Sequence, residues 1–138
     1  MTLEHINLVV SDIKQALTFY QAAFPHWSIR VGGINEWFGK PRNWVHFGDE
    51  YHYIAFNDNS VGENRDLTGH QVGLAHFAYV TSDLAGVIER LAQAGFSVDK
   101  EGPEDKYRTN VYFIDPSGYE VEFVQYNSDL PELRNRYE

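Results

Sequence analysis

The chain repeats itself: LEHINLVVSDI, beginning at Leu3, returns as LAHFAYVTSDL from Leu74, with His5 and His76 at the same place in each copy. In a chain of 138 residues this constrains the fold more than any single motif, because the two copies must build the same unit and share one core. Behind HINLVV, the apolar positions Ile13, Ala16, Leu17 and Tyr20 recur at helical spacing after Ser11 or Asp12 as the cap. Behind HFAYVT, Leu84, Val87, Ile88 and Leu91 recur in the same way, with Gly95 as the stop. Each copy therefore opens as strand, then helix.

The correspondence continues. NWVHFGDEYHYIAF, from Asn43 to Phe56, and NVYFIDPSGYEVEF, from Asn110 to Phe123, are both fourteen residues long and run from Asn to Phe. Each reads as two strands around a tight turn, Gly48-Asp49 in one and Asp115-Pro116-Ser117-Gly118 in the other. Extended pieces near WSIRVGG and FSVDKEG precede these hairpins. The predicted unit is β-α-β-β-β, written twice. The fold class is α+β, with the two modules pairing into a cupped mixed sheet and helices on its outer face. Module one spans about 1–58, a polar linker rich in Gly, Asn and Asp about 59–72, module two about 73–126 and a polar tail 127–138, all within a single domain.

The absence of cysteine excludes disulfides, thiolate metal sites and a cysteine nucleophile, so His, Asp and Glu must carry any metal. No stretch approaches the ~20 apolar residues that span a bilayer, and no basic-then-apolar leader opens the chain; a soluble, cytoplasmic protein without a membrane partner is expected. A net charge of −9, with 11 scattered Lys and Arg, opposes nucleic-acid binding and favours a small-molecule partner.

Strand alternation selects the residues that meet. Ile6, Leu8 and Val10 form the set beneath the first helix, leaving His5, Asn7 and Val9 on the other face. In the second copy His76, Ala78 and Val80 face away from the helix, and in YEVEFVQY so do Glu120, Glu122 and Val124. If the uncovered faces form one concave wall, His5, His76 and Glu122 converge as two imidazoles and a carboxylate, a chelating set for a divalent ion with open positions. Glu120 reads as a solvated or supporting charge. Tyr112, Tyr53 and Asn7 are pocket candidates, and His46 and His52 fall by parity under the helix. VGGINEWFGKPRN, around Trp37 and Phe38, reads as a long connector or a lid. Lys106 and Arg108 are candidates for neutralising an anionic substrate.

LEHINLVVSDIKQALTFY, GLAHFAYVTSDL and FIDPSGYEVEF together resemble the vicinal oxygen chelate superfamily of glyoxalases, extradiol dioxygenases, fosfomycin-resistance transferases and bleomycin-resistance proteins. The resemblance places His5, His76 and Glu122 on metal-ligand positions and Tyr112 on an active-site tyrosine. It implies a divalent metal, with Fe(II) favoured and Mn, Zn or Ni as alternatives. A homodimer is expected because two four-stranded modules expose edges and apolar faces that one module cannot cover alone. At Ala55, the repeat partner of Glu122, glyoxalase I carries a fourth ligand, a glutamate. This departure favours a dioxygenase-like or transferase-like enzyme acting on a small oxygen-bearing molecule over glyoxalase I itself. In that case His46, His52 or His70 would supply a supporting acid or base. The competing reading is a non-catalytic binding protein of the bleomycin-resistance type.

Overall fold

In the computed structural model, residues 1–137 are described. Module one forms β1 (His5–Val9), α1 (Ile13–Ala23), β2 (Ser28–Trp37), β3 (Lys40–Gly48) and β4 (Tyr53–Asn57). Module two forms β5 (Phe77–Val80), α2 (Leu84–Gln93), β6 (Lys100–Glu101), β7 (Arg108–Ile114) and β8 (Glu120–Tyr126), and the tail adds α3 (Pro131–Arg134). The α+β class and the doubled β-α-β-β-β order agree with the sequence reading. Both helices are capped by an aspartate: Asp12 accepts from the Gln15 amide and Asp83 from the Gly86 amide, satisfying donors that a helix start leaves open.

The strand orders are β1-β4-β3-β2 and β5-β8-β7-β6, with β1/β4 and β5/β8 parallel and the remaining pairs antiparallel. The two sheets stay separate within the chain, which leaves β1 and β5 as free edges. The helices explain the separation. Beyond the predicted stripe, α1 also buries Phe19, which meets Phe96 and Phe113 of module two edge-on, while its neighbour Tyr20 packs on Phe56 of module one. One core thus joins the inner faces of both sheets through the helices, and both open faces point away from it.

Polar struts fix the two modules to each other. Arg90 of α2 donates through Nε to the Ala22 carbonyl at 2.9 Å, at the C-terminal end of α1, where carbonyls lack helical partners and the helix dipole favours a cation. The Asp-Pro-Ser-Gly turn docks on module one. The Tyr20 hydroxyl donates to Asp115 Oδ2 at 2.7 Å, the Tyr119 hydroxyl to the Val9 carbonyl at 2.8 Å, and the Ser11 amide to Ser117 Oγ at 3.0 Å.

VGGINEWFGKPRN is not a loop. It is the distal part of a long β2–β3 ladder closed by a two-residue turn at Phe38-Gly39, where Trp37 pairs with Lys40. Both turn residues have positive φ, as a primed hairpin turn requires. No helix among the described residues is long and apolar enough to cross a membrane.

Candidate functional site

On the open face of the second sheet, β8 alternation aims Glu120, Glu122 and Val124 outward, and the register sets Glu122 between Ala78 and Tyr112. His76 stands just before β5. Its Nε2 lies 3.3 Å from Glu122 Oε2, and Asn110 Nδ2 donates to the other carboxylate oxygen at 2.8 Å. Glu122 is thereby held by one oxygen and presents the other beside an imidazole. Tyr112 meets the His76 ring edge-on at 5.4 Å. Burial, followed by the Glu122 charge, raises the Tyr112 pKa, and Lys100 partly offsets this, so its hydroxyl stays protonated at neutral pH.

Of the two sequence readings of Glu120, solvated or supporting charge, the second fits the structure. Its side chain is 8% exposed and pairs with Lys100 Nζ at 3.2 Å, with His76 Nδ1 at 3.9 Å. Charge compensation makes that burial tolerable.

The open face of the first sheet carries His5, with Nδ1 held by Glu4 Oε1 at 2.8 Å. Such a contact fixes the ring and leaves the Nε2 lone pair available as a ligand. The Tyr53 ring stacks on His5 at 4.5 Å and on His46 at 4.4 Å. His46 therefore lies on the open face rather than under the helix, and burial, then Arg30, then His5 lower its pKa. The parity reading failed because the turns differ. Four residues separate Gly48 from its partner Tyr53, while five separate Ile114 from Glu120, and one residue reverses a strand's faces. His46 is thus the register equivalent of Tyr112, and Ala55, flanked by Asn7 and His46, that of Glu122. His52 lies in the turn, where its amide donates to Asp49, and His70 lies in the exposed linker.

The chain brings His76, Glu122 and Tyr112 together and keeps His5 apart from them. Among the described residues, no group of three His, Asp or Glu side chains is arranged to hold an ion. A cavity of about 510 Å³ between the free edges is lined by His5, Tyr53, Trp27, Phe77, Ala78 and Val80. The donor types nevertheless suit a divalent ion: a carboxylate oxygen and an imidazole nitrogen 3.3 Å apart, the carboxylate held from behind by Asn110, with a second imidazole, held by Glu4, on the other sheet. Lys106 and Arg108 stack on Tyr107 and Tyr137. Asn110 and the pair Arg42–Asn57 escaped the sequence reading. Asn110 opens the second fourteen-residue segment, as Asn43 opens the first, and that repeated Asn was the available signal.

Two β-α-β-β-β modules whose outward histidines occupy equivalent positions define a doubled-module fold. The sequence profile of the Glyoxalase/Bleomycin resistance protein/Dioxygenase superfamily matches residues 2–123, and the chain belongs to that superfamily. It is 31% identical over 136 residues to a lactoylglutathione lyase of Neisseria meningitidis serogroup A, covering 93% of each chain. Among solved structures, a glyoxylase/bleomycin resistance protein/dioxygenase domain from Frankia sp. EAN1pec shares the fold with a TM-score of 0.75 at 20% identity, over 99% of this chain and 98% of that one. The fosfomycin resistance protein FosX from Listeria monocytogenes, complexed with Mn(II) and sulfate, does so with a TM-score of 0.64 at 20% identity, over 98% of both chains.

Proposed function

We propose that the protein is a divalent-metal-dependent enzyme acting on a small molecule that offers two oxygens, with its sites shared between the subunits of a homodimer. His5 of one copy and His76 and Glu122 of another would hold the ion. The observation that carries this reading is the division of the donors: His76 and Glu122 project from the open face of one sheet, His5 from that of the other, and the shared core keeps the faces apart within a chain. Opposing free edges and open faces of two chains would complete the set.

The ion would polarise the chelated oxygens and stabilise the negative charge that develops on them. The protein's own groups do the rest. Asn110 holds Glu122 in the orientation that faces His76, and Glu4 holds the His5 ring. The Tyr112 hydroxyl, kept protonated by its surroundings, donates a hydrogen bond to a substrate oxygen as charge builds on it. Ala55 supplies no donor, so the set remains at three and leaves room for two substrate oxygens. This favours dioxygenase-like or transferase-like chemistry over that of lactoylglutathione lyase.

Elemental analysis of protein purified without chelator should find about one divalent ion per chain. His5→Ala, His76→Ala and Glu122→Ala should each weaken metal binding by about a hundredfold or more while far-UV circular dichroism is unchanged. Wild-type affinity in any of the three removes that residue from the set. A protein that takes up no metal on titration but binds small molecules would instead be a binding protein.

A further inference from the structure

The open face of the first sheet carries rings and cations that the donor set leaves unused. Arg42 is held on three sides. Its Nε donates to Asn35 Oδ1 at 2.8 Å, an Nη donates to Asn57 Oδ1, and its plane lies 4.5 Å from the Trp37 ring centroid. Asn57 is 2% exposed and is itself fixed by Asn7. Both acceptors are neutral amides, so the guanidinium keeps its full charge. Glu36, the acid of this hairpin, pairs with Pro41 and so projects from the opposite face. Neither Arg42 nor Arg30 takes part in an ion pair among the described residues, in a chain where 20 acids outnumber 11 bases.

Beside Arg42 lies the Trp44 indole, and beyond it a row of rings stacked face to face. The Trp44 indole covers Gly33, where an added Cβ would come within 3.2 Å of it. His46 follows at 5.1 Å from Trp44, then Tyr53 at 4.4 Å with Arg30 4.6 Å from its centroid, then His5. Glycine at position 33 lets the indole lie flat on the strand instead of standing away from it. Arg42, Trp44 and His46 alternate along one face of β3, so their Cα atoms span about 13 Å at two-residue steps of about 6.6 Å.

We propose that this face is a subsite for a planar, conjugated carboxylate, whose body lies on the outer face of the Trp44 indole and against the edges of His46 and Tyr53 and whose charged end meets Arg42. The assignment deepens the proposed function and rests on it for the role of the ligand as substrate: the far end of the molecule would then present its oxygens beside His5. A guanidinium held in place by neutral partners recognises carboxylate with little ordering cost, and the outward face of an indole accepts a flat π-system.

The test needs no metal. EDTA-treated protein is titrated with 2-naphthoate and with its neutral isostere 2-naphthamide, following the indole N–H resonances of Trp37 and Trp44 by NMR. Naphthoate should shift both signals saturably and bind about tenfold more tightly than the amide, one charge-assisted contact's worth of discrimination. Arg42→Gln should abolish the preference, while Arg42→Lys, which keeps the charge but loses the fork, should retain only part of it. Equal affinity for acid and amide in the wild-type protein overturns the proposal without recourse to any variant. A preference that survives Arg42→Gln, or the absence of saturable shifts at Trp37 and Trp44, overturns it as well. Metal titration of the His5, His76 and Glu122 variants reads out the donor set separately, so either idea can fail while the other stands.

Discussion

Ala55 and Tyr20 show how single side chains set what the molecule can do. Ala55 is 5% exposed and lies between Asn7 and His46 on the face that carries His5. Ala55→Glu would add an anionic donor there at the risk of burying an unpaired charge. The variant should melt below wild type without metal and gain a larger stabilisation on metal addition, measured as the difference between the two shifts in melting temperature. A metal-induced shift no larger than that of wild type would show that residue 55 does not face the ion. Tyr20 supports the inter-module clasp. Burial raises the Asp115 pKa, and the Tyr20 hydroxyl and the turn amides oppose that rise. Tyr20→Phe should destabilise the fold by about 2 kcal/mol at pH 7 by removing a donor from a buried carboxylate. Without that donor the folded-state pKa rises further above its unfolded value. Such a group favours folding at low pH, and its contribution is lost as pH rises through the folded pKa. The defect should therefore shrink as pH falls toward the carboxylate range, and urea unfolding at two pH values measures it.

At the scale of elements, the β2–β3 hairpin is the part that departs from the module plan, since the equivalent β6 has two residues against ten in β2. Its extra length presents Arg42, Trp44 and Trp37 on one face. The hairpin also carries a local cost, because Phe38 adopts φ 48° with 93% of its surface exposed. Side chains other than glycine, asparagine and aspartate rarely occupy that region. Phe38→Asn should stabilise the protein by about 1 kcal/mol, a rise of about 3 °C in melting temperature. A variant no more stable than wild type would mean that the Phe38 ring makes compensating contacts, for which the tilted Trp37 ring 5.4 Å away is the candidate.

For the whole molecule, the decisive feature is a core that faces inward from both sheets and leaves two open faces and two free edges on the outside. Val80 is 64% exposed and Val31 49%, and exposed edges and apolar positions of this kind are unusual on a chain that works alone. Light scattering should give twice the chain mass of 15.9 kDa, and the melting temperature should rise with protein concentration. A monomer at all working concentrations would exclude a shared site.

The order of elements was legible because it is written in local terms: a cap at Ser11 or Asp12, a stop at Gly95, an Asp-Pro-Ser-Gly turn, and alternation that assigns His5, His76 and Glu122 to open faces. The internal repeat extended that legibility to half of the candidate site, since a strand's period of two fixes which neighbours share a side. The rest depended on strand register and on long-range packing. A one-residue difference in turn length moved His46 to the open face. Phe19, a residue outside the predicted stripe, draws α1 against module two as well as module one, and that double burial turns the two open faces outward and divides the donors. Arg42, Asn57 and Asn7 meet only because β3, β4 and β1 lie side by side, an adjacency created by strand pairing between residues far apart in the chain. Local sequence determined the modules and their faces; long-range packing decided how those faces are arranged, because burying the shared apolar surface is the dominant favourable term and acts without regard to sequence distance.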